Sequence, residues 1–175
     1  MLFQHLIQHL EKVSGKKYGS SEETDIALRV IADHIRAISF SISDGQLPSN
    51  TGAGYVIRRI LRRAVRYGYQ TLDVKEPFLF ELVKPLVEVM GEAFGELKAQ
   101  EELIEKVIHE EETSFFRTLE TGLGKLNTLM KTCDKVIKGK DVFELYDTFG
   151  FPLDLTALIA RENGLEIDNE GFQIE

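Results

Sequence analysis

Five arginines, Arg58, Arg59, Arg62, Arg63 and Arg66, crowd one short stretch of this chain. On a helix that steps ~100° per residue they fall within an arc of about 140°. Val56, Ile57, Ile60, Leu61, Ala64, Val65 and Tyr67 fill the rest of the wheel, and Tyr55 joins the basic side. Guanidinium groups set side by side repel one another unless something anionic faces them. Their planar fork matches phosphate oxygens two at a time. Three readings stay open for this face. It binds phosphate, or it packs on an acid-rich helix of the same chain, or it lies on a membrane or in a calmodulin-like partner. Once its core side is buried, such a helix has no large apolar face left for the third.

The loop ahead of the arginines reads Asn50-Thr51-Gly52-Ala53-Gly54 and leads into a helix N-terminus. Free N–H groups there favour an anion, and glycines allow close backbone approach. Composition alone favours an ordinary cap and turn. The stretch lacks the lysine of a P-loop and the strand that precedes a dinucleotide site.

Other reactive side chains make weaker cases. His5 and His9 stand one helical turn apart, a zinc-compatible spacing, but no further ligands are evident nearby. His34, between Asp33 and Arg36, suits a polar network. Cys133 is the only cysteine, which excludes an internal disulfide and leaves a bystander thiol. Phe143, Tyr146, Phe149 and Phe151 read as core beneath a turn. No acid/base pair and no Ser/His/Asp set is evident, so neither a catalytic nor a metal centre is expected in this chain.

These groups must be positioned by a globular, helical scaffold. At 43% hydrophobic and 29% charged, the 175 residues are neither disordered nor membrane-spanning. No apolar run nears the ~20 residues of a transmembrane helix. The N-terminus lacks a signal peptide's basic start and cleavage site, so a cytoplasmic location is expected. The net charge of −8 argues against nucleic acid, but its distribution reverses that. No acidic residue occurs from Gly45 to Leu72, whereas eight glutamates stand between Glu96 and Glu120.

Helical spacing of apolar residues predicts helices over Leu2–Val13, Ile26–Ile42, Tyr55–Tyr69, Phe78–Met90 and Leu153–Glu162. A long helix is expected over Glu96–Lys131, roughly 50 Å at ~1.5 Å per residue. Ser21 opens the second helix, Pro85 should kink or break the fourth, and Asp141 should cap a short helix through Tyr146. Lys138-Gly139-Lys140 reads as a turn. At most, Leu165–Ile167 forms a short strand. The class is all-α: an irregular helical domain with one long helix and an arginine-rich amphipathic one. It divides into a first helical subdomain, residues 1–93, and a second with the long helix, residues 94–175. Both ends look like cuts within a longer chain.

Two strings carry a resemblance. ADHIRAISFSISDGQLPSNTGAGYVIRRILRRAVRYG resembles the region that follows the class II catalytic core in the alanyl-tRNA synthetase family. LYDTFGFPLDLTALIARENG is similar to the second half of the same tRNA-recognition region, and the EEETSFFRTLETGL stretch between them also fits. The likeness runs from about Asp25 to Phe172, in order. It departs at Ala53, where many members carry arginine, and this bears on one backbone contact at the helix entry.

The resemblance implies a helical piece that grips the acceptor stem of tRNA(Ala) and checks its third base pair, a G·U wobble. The checking residues of the family match Asn50 and Asp147. The five arginines then bind the tRNA backbone. The guanine 2-amino group is the one exocyclic donor in the minor groove, and a wobble leaves it unpaired. A carboxylate only accepts, which suits Asp147. An amide both donates and accepts, so Asn50 can read a carbonyl or share the amino group. Local alternatives are a turn cap at Thr148–Gly150 for Asp147 and a cap of the arginine helix for Asn50. The resemblance further implies a parent that ligates alanine to tRNA through an adenylate, using ATP and magnesium before Met1 and a zinc-bearing editing domain after Glu175. The alternative function is a helical protein–protein module with an internal Arg/Glu surface.

Overall fold

A computed structural model describes residues 2–174; Met1, Glu175 and the side chain of Leu2 lie outside what it describes. The chain folds as two units, Met1–Thr113 and Ser114–Glu175. Among the described residues it is all-α apart from two strands of two residues each.

In the first unit, α1 (Leu2–Ser14) is followed by α2 (Glu22–Ser43). Ser21 opens α2: its hydroxyl accepts the Thr24 N–H at 3.2 Å, and Glu22, Glu23 and Asp25 sit in the first turn, where the helix dipole favours acids. Ala27, Leu28, Ile31, Ile35, Ile38 and Ile42 form its fully buried stripe. Each large aliphatic side chain removed from water there contributes about 1.5–3 kcal/mol. α3 (Gly52–Gln70) packs on α2 through Ile57, Leu61, Ala64 and Val65.

A 3-10 turn over Leu79–Leu82 then leads into α4 (Val83–Met90). The predicted fourth helix is thus broken, as expected, though between Leu82 and Val83, and Pro85 lies in the first turn of α4. Its missing N–H costs nothing there. The predicted long helix is also divided, into α5 (Gly95–Ala99) and α6 (Glu101–Thr132). The reason is tertiary: between them, the Gln100 amide donates to the Ser43 carbonyl at 2.9 Å and closes the end of α2. Gly122 and Gly124 do not interrupt α6. Gly122 lies against the Phe151 ring, where a Cβ would collide.

The second unit takes the later part of α6 and adds α7 (Gly139–Asp147), α8 (Leu153–Glu162) and α9 (Asn169–Ile174). β1 (Val136–Ile137) pairs in parallel with β2 (Glu166–Ile167). The predicted strand near Leu165–Ile167 thus exists, with a partner that the sequence did not reveal. α7 begins at Gly139 with Lys138 as its cap residue, so Lys138-Gly139-Lys140 enters a helix and Asp141 sits in the first turn. Phe115 and Phe151 meet edge to face at 5.6 Å inside this unit. Phe143, Tyr146 and Phe172 form a second ring cluster. Thr118 Oγ1 donates to the Phe149 carbonyl at 2.7 Å, fixing the turn after α7.

Candidate nucleic-acid interface

α3 does place the arginines together, but their face is not bare. Arg58, Arg59, Arg62 and Arg63 are half-buried and Arg66 is buried. Arg58 meets Glu111 of α6 with a two-pronged grip: Nε donates to Oε1 at 2.5 Å and Nη2 to Oε2 at 3.1 Å. Arg62 Nη2 shares the same Oε1 at 3.1 Å. Burial pushes the Arg62 guanidinium below its ordinary value, while the Glu111 charge pulls it back up. Arg59 stands 5.7 Å from the Tyr55 ring centre and Arg66 stands 5.0 Å from that of Tyr67. Arg66 Nε also donates to the Gln70 side chain, one turn on.

Asn50 is exposed, just before the α3 cap residue Thr51. Its carbonyl does not cap α3. It accepts a short hydrogen bond from Arg58 Nη1. Thr51 itself makes no side-chain cap bond. The glycines beside it have local causes. Gly52 adopts φ +59°, which side chains disfavour, and a Cβ on Gly54 would strike the Leu47 carbonyl and the Ser49 side chain. Asp147 belongs to the second unit. It is exposed at the last position of α7, and among the described residues its carboxylate has no hydrogen bond or ion pair. The turn-capping alternative for Asp147 therefore has no contact behind it.

Two glutamates matter that the sequence did not single out. Glu111 gathers Arg58 and Arg62. Glu112, fully buried, accepts N–H groups of Phe78, Leu79 and Phe80 at 2.8–3.0 Å. Burial pushes the Glu112 carboxyl up to about 7, and the three N–H donors restrain it. The only advance signal was the acid-rich stretch itself.

The remaining candidates are local. His34 sits beside Asp33, which also accepts from Arg36 at 3.0 Å. Burial lowers the pKa of His34, and the neighbouring Asp33 charge opposes that shift. His5 faces Glu88 at 3.5 Å. Among the described residues no group of three or more His, Cys, Asp or Glu is arranged to hold a metal, and no helix is long and apolar enough to cross a membrane.

An all-helical chain with arginines ranked along one helix fits a known class, and the likeness covers its whole length. The chain belongs to the class II (A) tRNA synthetase family, whose model matches residues 1–175. Its relatives include proteins named alanine–tRNA ligase from Christiangramia forsetii, 61% identical over 175 residues, and from Bacteroides fragilis, 60% identical over 178. A third, from Cytophaga hutchinsonii, is 58% identical over 178 residues. Each match covers 99% of this chain and 20% of the relative. The chain thus spans about a fifth of the length of these relatives.

Proposed function

We propose that this chain is the tRNA acceptor-stem recognition piece of an alanine–tRNA ligase, an enzyme that joins alanine to tRNA(Ala) at the expense of ATP. The observation that carries the reading is exposed Asn50, held by Arg58 at the entrance of the ranked arginine helix. Asn50, held at one end by Arg58, keeps its NH2 group available as a donor. Asp147 carries an uncommitted acceptor at a helix end. One donor and one acceptor are what a G·U wobble requires: a carbonyl to be read and an unpaired 2-amino group to be received. The wide, shallow minor groove of RNA leaves these edges accessible.

The arginines position and do not discriminate. Arg58, Arg59, Arg62, Arg63 and Arg66 supply the positive field that draws and seats the tRNA backbone. Buried Arg66 adds field more than fork. ATP, magnesium and an editing zinc belong, on this reading, to catalytic and editing domains of the parent, which are partners of this piece in the same chain.

The test is discrimination in the full-length enzyme. Asn50→Ala or Asp147→Ala should each reduce the preference for a wobble over a regular third pair by about 1–3 kcal/mol. An unchanged preference in both variants sinks the base-reading roles. One observation favours a second reading. Glu111 already pairs with Arg58 and Arg62, as an internal Arg/Glu surface of a protein-interaction module would. That module would bind no tRNA with salt-dependent affinity.

A further inference from the structure

Glu111 does more than neutralise charge. Arg58 and Arg62 stand one turn apart on α3, where like charges repel, and Glu111 Oε1 accepts from both, at 2.5 and 3.1 Å. The second oxygen takes Arg58 Nη2 at 3.1 Å. Two of the three guanidinium nitrogens of Arg58 are thereby fixed. The third, Nη1, is left aimed at the Asn50 carbonyl oxygen. An arginine fork is planar and rigid, so fixing one edge sets the direction of the other. A side-chain amide has two faces of opposite character that interchange when it flips. A donor held on Oδ1 disfavours the flip and leaves the NH2 uncommitted as a donor.

We propose that Glu111 is a positioning residue for tRNA discrimination: through Arg58 it fixes which end of the Asn50 amide faces the base pair. The inference rests on the base-reading role of Asn50 proposed above. It assigns specificity to a residue that touches no base. It also predicts a signature that a plain packing role lacks. Loss of packing lowers kcat/KM for every stem alike, whereas loss of orientation lowers the ratio between stems.

The experiment uses the full-length enzyme and two acceptor stems, one with the wobble pair and one with a regular pair. Asn50→Ala should lower the kcat/KM ratio by roughly 5- to 150-fold, the range one base contact spans. Glu111→Ala should lower it by most of that factor. The double variant should be no worse than Asn50→Ala alone, because residues acting as one unit are not additive. Arg58→Lys, which has no fork, should behave like Glu111→Ala. If Glu111→Ala loses helical circular dichroism, Glu111→Gln decides by the same ratio, with an intermediate drop expected. The proposal is overturned if Asn50→Ala lowers the ratio and the Glu111 variants do not, or if the double variant falls by the product of the two factors. If Asn50→Ala itself leaves the ratio unchanged, the base-reading role fails and this inference fails with it.

Discussion

Glu111 takes Arg58 with both carboxylate oxygens, at 2.5 and 3.1 Å, from a helix far along the chain from α3. The contact realises, for Arg58 and Arg62, the internal Arg/Glu pairing that the sequence left open as one reading of the arginine face. An internal ion pair and a phosphate-binding surface can share one helix when the internal carboxylate serves to aim the outward groups. A partly buried, two-pronged pair holds its geometry far better than an exposed one.

The arginine field should be visible as salt dependence. Arg63 is half-buried on α3, and Glu111 accepts from Arg58 and Arg62 instead, so Arg63→Ala separates backbone binding from the Asn50 relay. In the full-length enzyme, affinity should fall for wobble and regular stems alike. The slope of log K against log salt should flatten by about one unit for each lost phosphate contact. Filter-binding titrations across a salt series check this. A variant that lost affinity only for the wobble stem would contradict a positioning role for Arg63.

How much of this could be read in advance differs by element. α2 and α3 were legible because their buried faces are continuous stripes, and Ser21 marked one start. β1 was not, since two residues cannot show alternation. The break at Gln100 was hidden because its cause is a carbonyl on another helix. The run Glu110-Glu111-Glu112 shows the limit most clearly: its members are exposed, half-buried and fully buried in turn. Adjacent helix positions point about 100° apart, and only the folded neighbours decide which charge meets an arginine and which meets backbone N–H groups. For the candidate site, Arg58 and Asn50 were legible as residue types, but the bond between them was not.

Glu112 should leave a mark on stability against pH. Its carboxyl is raised from an ordinary 4.5 to about 7 in the fold. The folded state therefore holds the proton more tightly than the unfolded state between those values. Its contribution is most favourable below about pH 4.5, falls as pH rises towards 7, and is flat above, a change of roughly 3 kcal/mol. Glu112→Gln mimics the protonated acid and removes this slope. Urea unfolding of both proteins at pH 5 and pH 8 checks it: wild type should lose stability relative to Glu112→Gln on going to pH 8. A constant difference at both values would contradict a raised carboxyl. Glu112→Ala should cost more at any pH, because the buried Phe78 and Leu79 N–H groups lose their acceptor at about 1–3 kcal/mol each, and the part-buried Phe80 N–H loses its own.

Asp147 should separate stability from recognition. Its carboxylate stands at the last position of α7, the negative end of the helix dipole, with no partner among the described residues. An acid there is disfavoured by about 0.3–1 kcal/mol at low ionic strength. Asp147→Asn removes the charge with little change in shape, so it should leave unfolding free energy unchanged or raise it by a few tenths of a kcal/mol, about the size of that term. The same substitution replaces a pure acceptor with a group that is half donor. Facing an unpaired 2-amino group, the amide keeps one acceptor but loses the charge and the second oxygen, and preference for the wobble stem should drop by about 1 kcal/mol. Thermal unfolding and kcat/KM on the two stems, measured on the same full-length variant, give both readings. A residue kept for structure would move them together, losing stability and activity at once. One kept for recognition gains or holds the first while losing the second, and an Asp147→Asn enzyme destabilised by more than 1 kcal/mol, about the upper size of the helix-end term, would return Asp147 to a structural role.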